Sequence, residues 1–167
     1  EICLDQVDFS RSVFDSSMFT KATGQMVVFT GANLNKASML ESVFADADFT
    51  NATMVAACFR LSDFSGAHFD GCCADQALIE SCDLSRTCFV KASAKHCRFG
   101  KSNLKEADLS KINLFQGSLR KAQLEHADLS CSNLYGVDFY KSEVYKTRLE
   151  RANLKASNIA QYKDGLR

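Results

Sequence analysis

Large apolar side chains recur at every fifth position of this chain, from Leu4 to Ile159. The column has 32 members, of which 12 are Leu, 12 are Phe, two are Met, two are Ile and one is Val. Only Gly24, Ala74 and Ala94 depart from the pattern. A period of five matches neither the 3.6 residues of an α-helix nor the two residues of a β-strand. The pattern therefore predicts a backbone that bends in the same way every five residues and returns one large side chain to a common interior.

A second column, two residues before the first, holds small side chains from Ile2 to Ser157. It contains 13 Ala and eight Ser, which we interpret as substitutes for Ala, and nothing bulkier than a branched aliphatic. The absence of Pro suits a structure in which nearly every amide bonds a neighbouring coil. Because 29 large apolar side chains in register must be buried, disorder is excluded. Six members represent the predicted core: Phe29, Phe49, Phe69, Phe89, Leu109 and Leu129.

Several units read Ala, then Asp or Asn, then Leu, as in residues 107–109, 127–129 and 152–154. This pattern resembles that of the pentapeptide-repeat family, and the resemblance extends over essentially the whole chain. It implies an all-β solenoid, a right-handed quadrilateral parallel β-helix with four units per coil. About eight coils at a strand spacing of ~4.8 Å would give a rod roughly 38 Å long. We expect residues 1–167 to be a single domain, a fragment of a longer chain, with an irregular tail at 161–167.

Charge is unevenly distributed, although the formal net charge is zero. Residues 1–90 contain five Lys or Arg and 12 Asp or Glu, whereas residues 91–167 contain 15 and eight. Such asymmetry suggests a charged partner or head-to-tail contacts. The sequence has no apolar run long enough for a membrane span and does not begin with a signal-peptide pattern. We expect a cytoplasmic protein whose eight cysteines are free thiols, because several of them occupy core positions of the repeat.

Residues that could carry catalysis or bind a metal are few. His68, His96 and His126 fall on different edges of the predicted rod, and no Cys-x-x-Cys or Cys/His grouping has zinc spacing. No nucleophile elbow or glycine-rich phosphate loop occurs. The Asp and Asn residues before the large column, such as Asp48 and Asn103, are interpreted as bonding the repeated bends. The sequence thus predicts no enzyme, no metal site and no cofactor.

Outward aromatic and basic residues are concentrated near the C-terminal end. Tyr135, Tyr140 and Tyr145 hold the same repeat position in three successive units and should project from three consecutive edges. Tyrosine suits pleated strands in any case, but aromatic residues mixed with Arg are typical of binding hot spots. We therefore predict a partner-binding surface with exposed aromatic rings, made of Phe115, Tyr135, Tyr140, Tyr145, Lys141, Lys146, Arg148 and Arg151.

These features favour a non-catalytic protein–protein interaction scaffold. Segments 113–124 and 133–139 are similar to the repeat domains of bacterial type VI secretion accessory proteins, which implies an adaptor for effector loading. One alternative is a DNA mimic that binds DNA gyrase or topoisomerase, like the quinolone-resistance members of the family. Another is nucleic-acid binding by the basic C-terminal half. We expect protein partners rather than nucleic acid or membrane, with each uncapped end covered by a domain of the parent chain or by an end-to-end homodimer.

Overall fold

A computed structural model of the protein describes residues 2–159, which wind into one rod. Each unit contributes a single bridged residue, the one before the large core residue, rather than a longer strand. Parallel bridges join residues 20 positions apart, from Cys3–Thr23 to Asn133–Asn153, so each coil contains four units as predicted. No α-helix occurs within residues 2–159. Nothing in this range could therefore cross a membrane as an apolar helix.

The rod has four sides, which we number from the first coil. Face 1 begins with residues 2–4, face 2 with 7–9, face 3 with 12–14 and face 4 with 17–19, and each recurs every 20 residues. The two residues after each face form the corner of the same number. Corner 4 therefore separates face 4 from face 1 of the next coil. Faces 2 and 4 lie on opposite sides, and so do corners 2 and 4.

In most units, four of the five amides bond to backbone carbonyls, as residues 107–111 illustrate. The Ala107 amide closes the preceding turn, and the Asp108 amide donates to the previous coil. The amides of Leu109 and Lys111 donate to carbonyls of the next coil. The remaining amide, that of Ser110, donates to the Asp108 carboxylate at 2.9 Å. The repeated Asp or Asn thus provides the acceptor that the backbone cannot, which confirms the structural role predicted for these residues.

The second corner residue of every unit between Gln6 and Ala156 has a positive φ. Of these residues 27 are not glycine and four are glycine. A positive φ at the third position of a hydrogen-bonded four-residue turn is the signature of a type II turn. This conformation is strained for residues with a Cβ atom. Burial of a large side chain in nearly every unit offsets that cost, so the chain does not depend on glycine at its corners.

Phenylalanine rings stack along face 2 through the first five coils. The centroid separations shorten from 5.4 Å between Phe9 and Phe29 to 4.5 Å between Phe69 and Phe89. The rings of Phe49 and Phe69 are nearly parallel, at 2°. All six predicted core residues are fully buried, which confirms the assigned register.

A polar ladder lies inside the rod at the start of face 1. The Ser62 hydroxyl accepts a hydrogen bond from the Ser42 amide and donates one to the Met39 carbonyl. Ser102 makes the same pair of bonds to the Cys82 amide and the carbonyl of residue 79. Each hydroxyl bridges the amide and the carbonyl of a turn in the preceding coil. In other turns these two backbone groups bond directly to each other. Serines in the small column are therefore more than substitutes for alanine.

The first coil presents apolar surface. Its interior side chains are only partly buried, since no coil packs on their outer side. Two outward side chains of the same coil, Val13 and Met18, are also strongly exposed. The partly buried interior side chains are Leu4, Phe9, Phe14 and Phe19.

Candidate interaction surface

The eight residues predicted to form one binding surface are distributed over all four corners of the rod and face 2. A single rigid partner surface can contact at most adjacent sides, so these residues do not make one patch. The three tyrosines do occupy consecutive corners, as expected. The residues divide as follows: Phe115 and Tyr135 at corner 3, Tyr140 and Lys141 at corner 4, Tyr145 and Lys146 at corner 1, Arg148 on face 2 and Arg151 at corner 2.

Phe115 is only partly exposed, contrary to the sequence-based expectation. Its ring stacks on that of Tyr135, with centroids 5.4 Å apart and planes at 11°. On the other side it meets His96 edge-on at 5.9 Å. Stacking at the 20-residue spacing covers one ring with the next. The relative exposures of Tyr135 and Tyr140 are 36% and 38%, so these rings remain accessible.

Tyr140 is held in place by charged neighbours on face 4 and corner 4. The Arg120 guanidinium lies 4.5 Å from its ring centroid, and the Lys141 ammonium lies 5.3 Å away. Arg120 also pairs with Asp138 at 2.9 Å, and the Tyr140 amide donates to the same carboxylate. Burial alone would raise the pKa of Asp138, but hydrogen bonds from Arg120, the Tyr140 amide and Asn158 lower it. An exposed ring fixed in this way can bind with little loss of side-chain entropy.

The other predicted basic residues are occupied elsewhere. Arg148 pairs with Asp128 at 3.0 Å and with Glu150 at 3.7 Å on face 2. Lys146 lies 5.1 Å from the ring centroid of Tyr145 at corner 1. Face 2 and corner 1 do not adjoin face 4. Arg148 and Lys146 therefore cannot contact the same flat partner surface as Tyr140 and Arg120.

A depression of about 190 Å³ lies beside Tyr140, where face 4 meets corner 4. Gly100, which is itself buried, lines the depression at a corner position that is filled in adjacent coils by the side chains of Glu80 and Arg120. A Cβ at Gly100 would lie 3.4 Å from the Arg120 carbonyl, an ordinary contact, so a side chain would fill the depression without strain. The lining residues are Arg60, Glu80, Ser81, Arg98, Gly100, Lys101, Ser118, Arg120 and Lys121.

Five cationic side chains and one carboxylate line this depression. Glu80 pairs with Arg98 at 2.9 Å and lies 3.8 Å from Arg60, which leaves an excess of positive charge. We call the surface made by Arg98, Lys101, Arg120, Lys121 and Tyr140 around Gly100 the C-terminal basic face. The sequence-based prediction included only Tyr140 of these residues. Lys101 and Lys121 signal the face in sequence, because residues 20 apart stack on one edge.

The thiols and imidazoles do not form a nucleophilic site. All eight cysteines are unpaired, and Cys72, Cys82 and Cys97 lie in the interior as predicted. Burial raises the pKa of Cys82 to about 12, so this thiol stays protonated and unreactive at neutral pH. The histidines lie on face 2, corner 3 and corner 1, and are too far apart in the repeat to act together.

The fold and its surface define a class of protein, a β-solenoid whose regular interior displays variable side chains outward. The family model for pentapeptide repeats matches eight copies, over residues 28–66, 62–100, 82–116 and 118–155. The chain belongs to the pentapeptide-repeat family, whose members form right-handed quadrilateral β-helices.

Solved structures of the same fold include QnrB1, a plasmid-mediated fluoroquinolone resistance protein. A trypsin-treated form is 23% identical, with a TM-score of 0.56, over 95% of this chain and 82% of that chain. The full-length form is 20% identical, with a TM-score of 0.53, over 94% and 84% of the two chains. HetL, from the cyanobacterium Nostoc, is 17% identical with a TM-score of 0.40, over 95% and 87%. No match was found among curated proteins.

Proposed function

We propose that this chain is a non-catalytic interaction scaffold that binds an acidic segment of a protein partner on the C-terminal basic face. The depression at Gly100, lined by five cationic side chains next to an exposed tyrosine, is the observation that supports this function. Arg and Tyr beside a concave site are the residues that most often dominate binding energy at protein interfaces.

The shape of the basic face favours a protein segment over nucleic acid. The depression extends over four coils, from Arg60 to Arg120, and its lining includes no residue of the first two coils. Two of its arginines and the neighbouring Arg120–Asp138 pair already neutralise part of the local charge. A nucleic-acid strand needs an extended positive track with repeated phosphate contacts. A short acidic segment needs only one site for a carboxylate and one aromatic platform.

The acidic N-terminal coils are less suited to a binding surface. Asp48, Asp63 and Asp83 each accept an amide hydrogen bond two residues further on. Asp75 holds the amide of Lys95 and also pairs with its ammonium at 3.6 Å. These carboxylates serve the scaffold, so their charge is a by-product of the repeat. Mimicry of DNA toward gyrase or topoisomerase is therefore a competing outcome of the test below.

Two narrower roles stay predictions. An adaptor function in effector loading by type VI secretion depends on the sequence similarity of segments 113–124 and 133–139 alone. Covering of the first coil, by another domain of the same polypeptide or by a second copy in an end-to-end dimer, is supported by the partly exposed interior side chains there. Either contact is compatible with a partner on the C-terminal basic face, because no residue of the first coil lines the depression there.

The test measures binding of the full chain to an array of synthetic peptides graded from neutral to strongly acidic, with purified DNA gyrase and duplex DNA as separate probes. We expect acidic peptides to bind. The double change Arg98→Ala and Tyr140→Ala should weaken binding by about 2 kcal/mol, roughly 30-fold. Gly100→Leu should also weaken binding, since it fills the depression and keeps every charge.

The matched control combines Tyr145→Ala with Arg151→Ala, which removes the same two residue types from corners 1 and 2. This control should bind as the unmodified protein does. Equal losses in both double variants would refute the assigned surface. The DNA-mimic function would be established if gyrase still bound both double variants and no longer bound a variant in which acidic residues of the first coils carry the opposite charge. Binding of duplex DNA with a steep salt dependence would replace the protein partner by nucleic acid.

A further inference from the structure

The central position of face 2 holds an Asp that bonds a turn amide in four coils and is occupied by Val28, His68, Cys88 or Arg148 in the others. Asp48, Asp108 and Asp128 occupy the central position of this face and accept the amide two residues on. His68 and Cys88 occupy the same position in the two coils between them, and form a parallel bridge to one another. Neither makes the turn-capping bond of its neighbours among the described residues. These two side chains therefore have no turn-capping role and lie next to each other on the face.

Asp70 brings a carboxylate to the same point. Its Oδ1 accepts the Val90 amide at 2.9 Å, which fixes the side chain, and its Oδ2 lies 3.7 Å from His68 Nδ1. The ligand atoms of His68, Asp70 and Cys88 all lie within 4.8 Å of one another. Bonds of about 2.0–2.3 Å in a tetrahedral zinc site place ligand atoms roughly 3.4–3.8 Å apart. Small side-chain rotations would bring the three atoms to this spacing.

The local charge favours a cation at this point. The carboxylates of Asp48, Asp70 and Asp108 stand around the imidazole and the thiol. A divalent cation bound here would form a bond to the thiolate sulfur of Cys88, and the thiol proton would be released to solvent.

We propose that His68, Asp70 and Cys88 bind one divalent transition-metal ion of the Zn²⁺ class, with water in the fourth position. A nitrogen, oxygen and thiolate ligand set selects Zn²⁺ over Mg²⁺ or Ca²⁺, which prefer oxygen ligands only. Sequence spacing of the usual zinc motifs misses such a site. The relevant spacing is the 20 residues of one coil, which separates His68 from Cys88.

The site is tested with reduced, metal-free protein titrated with Co²⁺ and, separately, with Zn²⁺ by calorimetry. We expect one ion per chain, a thiolate-to-cobalt charge-transfer band, and displacement of Co²⁺ by Zn²⁺. His68→Asn restores the type of residue that the repeat uses at this position, so this variant should fold and yet bind at least ~10-fold more weakly. Cys88→Ser should abolish the charge-transfer band.

Two control variants carry the same changes elsewhere. Cys131→Ser removes an exposed thiol at corner 2, and His126→Asn removes an imidazole at corner 1. Both should keep the stoichiometry, the band and the affinity. Failure to bind Co²⁺ or Zn²⁺, a band that survives Cys88→Ser, or an affinity unaffected by His68→Asn would each overturn the proposal.

Discussion

The coils before residue 100 and those after it have the same backbone but place their aromatic residues on opposite sides of it. In the first region, 11 of the 12 core phenylalanines fill the interior. In the second, nine of the 12 core leucines replace them, and Phe115, Tyr135, Tyr140 and Tyr145 stand outside. The inter-coil bonds do not change: the amides of Phe49 and Leu109 each donate to the next coil at 2.7 Å. The interior that stabilises the rod and the side chains that it displays can therefore vary separately.

Charged side chains also have different roles in the two regions. Carboxylates in the N-terminal region mostly bond to turn amides, as Asp63 does to Ser65 at 2.8 Å. Basic side chains in the C-terminal region have no such scaffold role, because the corner amides cannot bond to an ammonium or guanidinium group. Several of them instead form ion pairs between coils, as Lys105 does with Glu125 at 3.1 Å.

The largest expected effect is on the interior of the N-terminal region. Phe69→Ala should lower the free energy of unfolding by ~3–5 kcal/mol, since it removes a buried ring that stacks between Phe49 and Phe89 and leaves a cavity. Lys111→Ala at an exposed corner should cost less than ~0.5 kcal/mol. Denaturant melts of both variants measure the difference. Similar losses would mean that inside and outside are not separated as described.

A smaller effect is expected at the polar ladder that both regions share. Ser62→Ala removes the hydroxyl that bonds the Ser42 amide, so a buried donor loses its partner at a cost of about 1–3 kcal/mol. Ser132→Ala is the matched control in the C-terminal region. The carbonyl of Leu109 that Ser132 contacts keeps its bond from the Ile112 amide, so less stability should be lost. Melts in which Ser132→Ala is the more damaging change would contradict the assigned role of the ladder.

The smallest expected effect is a dependence on pH at the C-terminal basic face. The pKa of Asp138 is lowered in the folded chain, although burial opposes this, because Arg120, the Tyr140 amide and Asn158 bond the carboxylate. Asp138 makes its full contribution to the free energy of unfolding above the pKa of an Asp in the unfolded chain, about 3.9. This contribution is lost as the pH falls through the lower pKa of the folded chain. Asp138→Asn should therefore lose less stability than the unmodified protein between pH 5 and pH 3, as measured by urea melts.

Asn133→Ala provides the uncharged comparison for this measurement. Asn133 accepts the amide of Tyr135 and a side-chain bond from Asn153, so its loss should lower stability equally at both pH values. If the Asp138→Asn variant lost as much stability on acidification as the unmodified protein, ionised Asp138 would not stabilise the fold as predicted.

The fold was predictable from sequence, whereas the surface was only partly so. A strict period of five determines which side chains face inward, and a buried column such as Phe29 to Leu129 follows directly. The interior hydroxyls of Ser62 and Ser102 were missed, since Ser resembles Ala in size and the pattern does not reveal a bond to the preceding coil. The predicted binding residues were grouped by nearness in sequence. Each unit turns the chain through a quarter of a coil, so residues five apart in sequence lie on different corners. Residues 20 apart stack on the same corner.

Gly100 illustrates what a pattern of side chains cannot indicate. It is one of eight glycines in the chain and has no conformational requirement, since its φ is not positive. Gly100 contributes to the depression because it has no side chain between those of Glu80 and Arg120. These three residues are neighbours only because the coil stacks positions 20 apart. His68 and Cys88 became neighbours through the same geometry.

The most direct test of the account is a photocrosslinking map of the bound partner. A photoreactive phenylalanine analogue is placed singly at positions 135 and 140, which flank face 4, and at positions 46 and 151 on other corners, in chains that retain the wild-type melting temperature. The probe is the acidic peptide that the unmodified chain binds most tightly. We predict adducts from positions 135 and 140 and none above background from 46 and 151. Adducts from position 46 or 151 that equal or exceed those from 140 would contradict the claim that this scaffold binds through its C-terminal basic face.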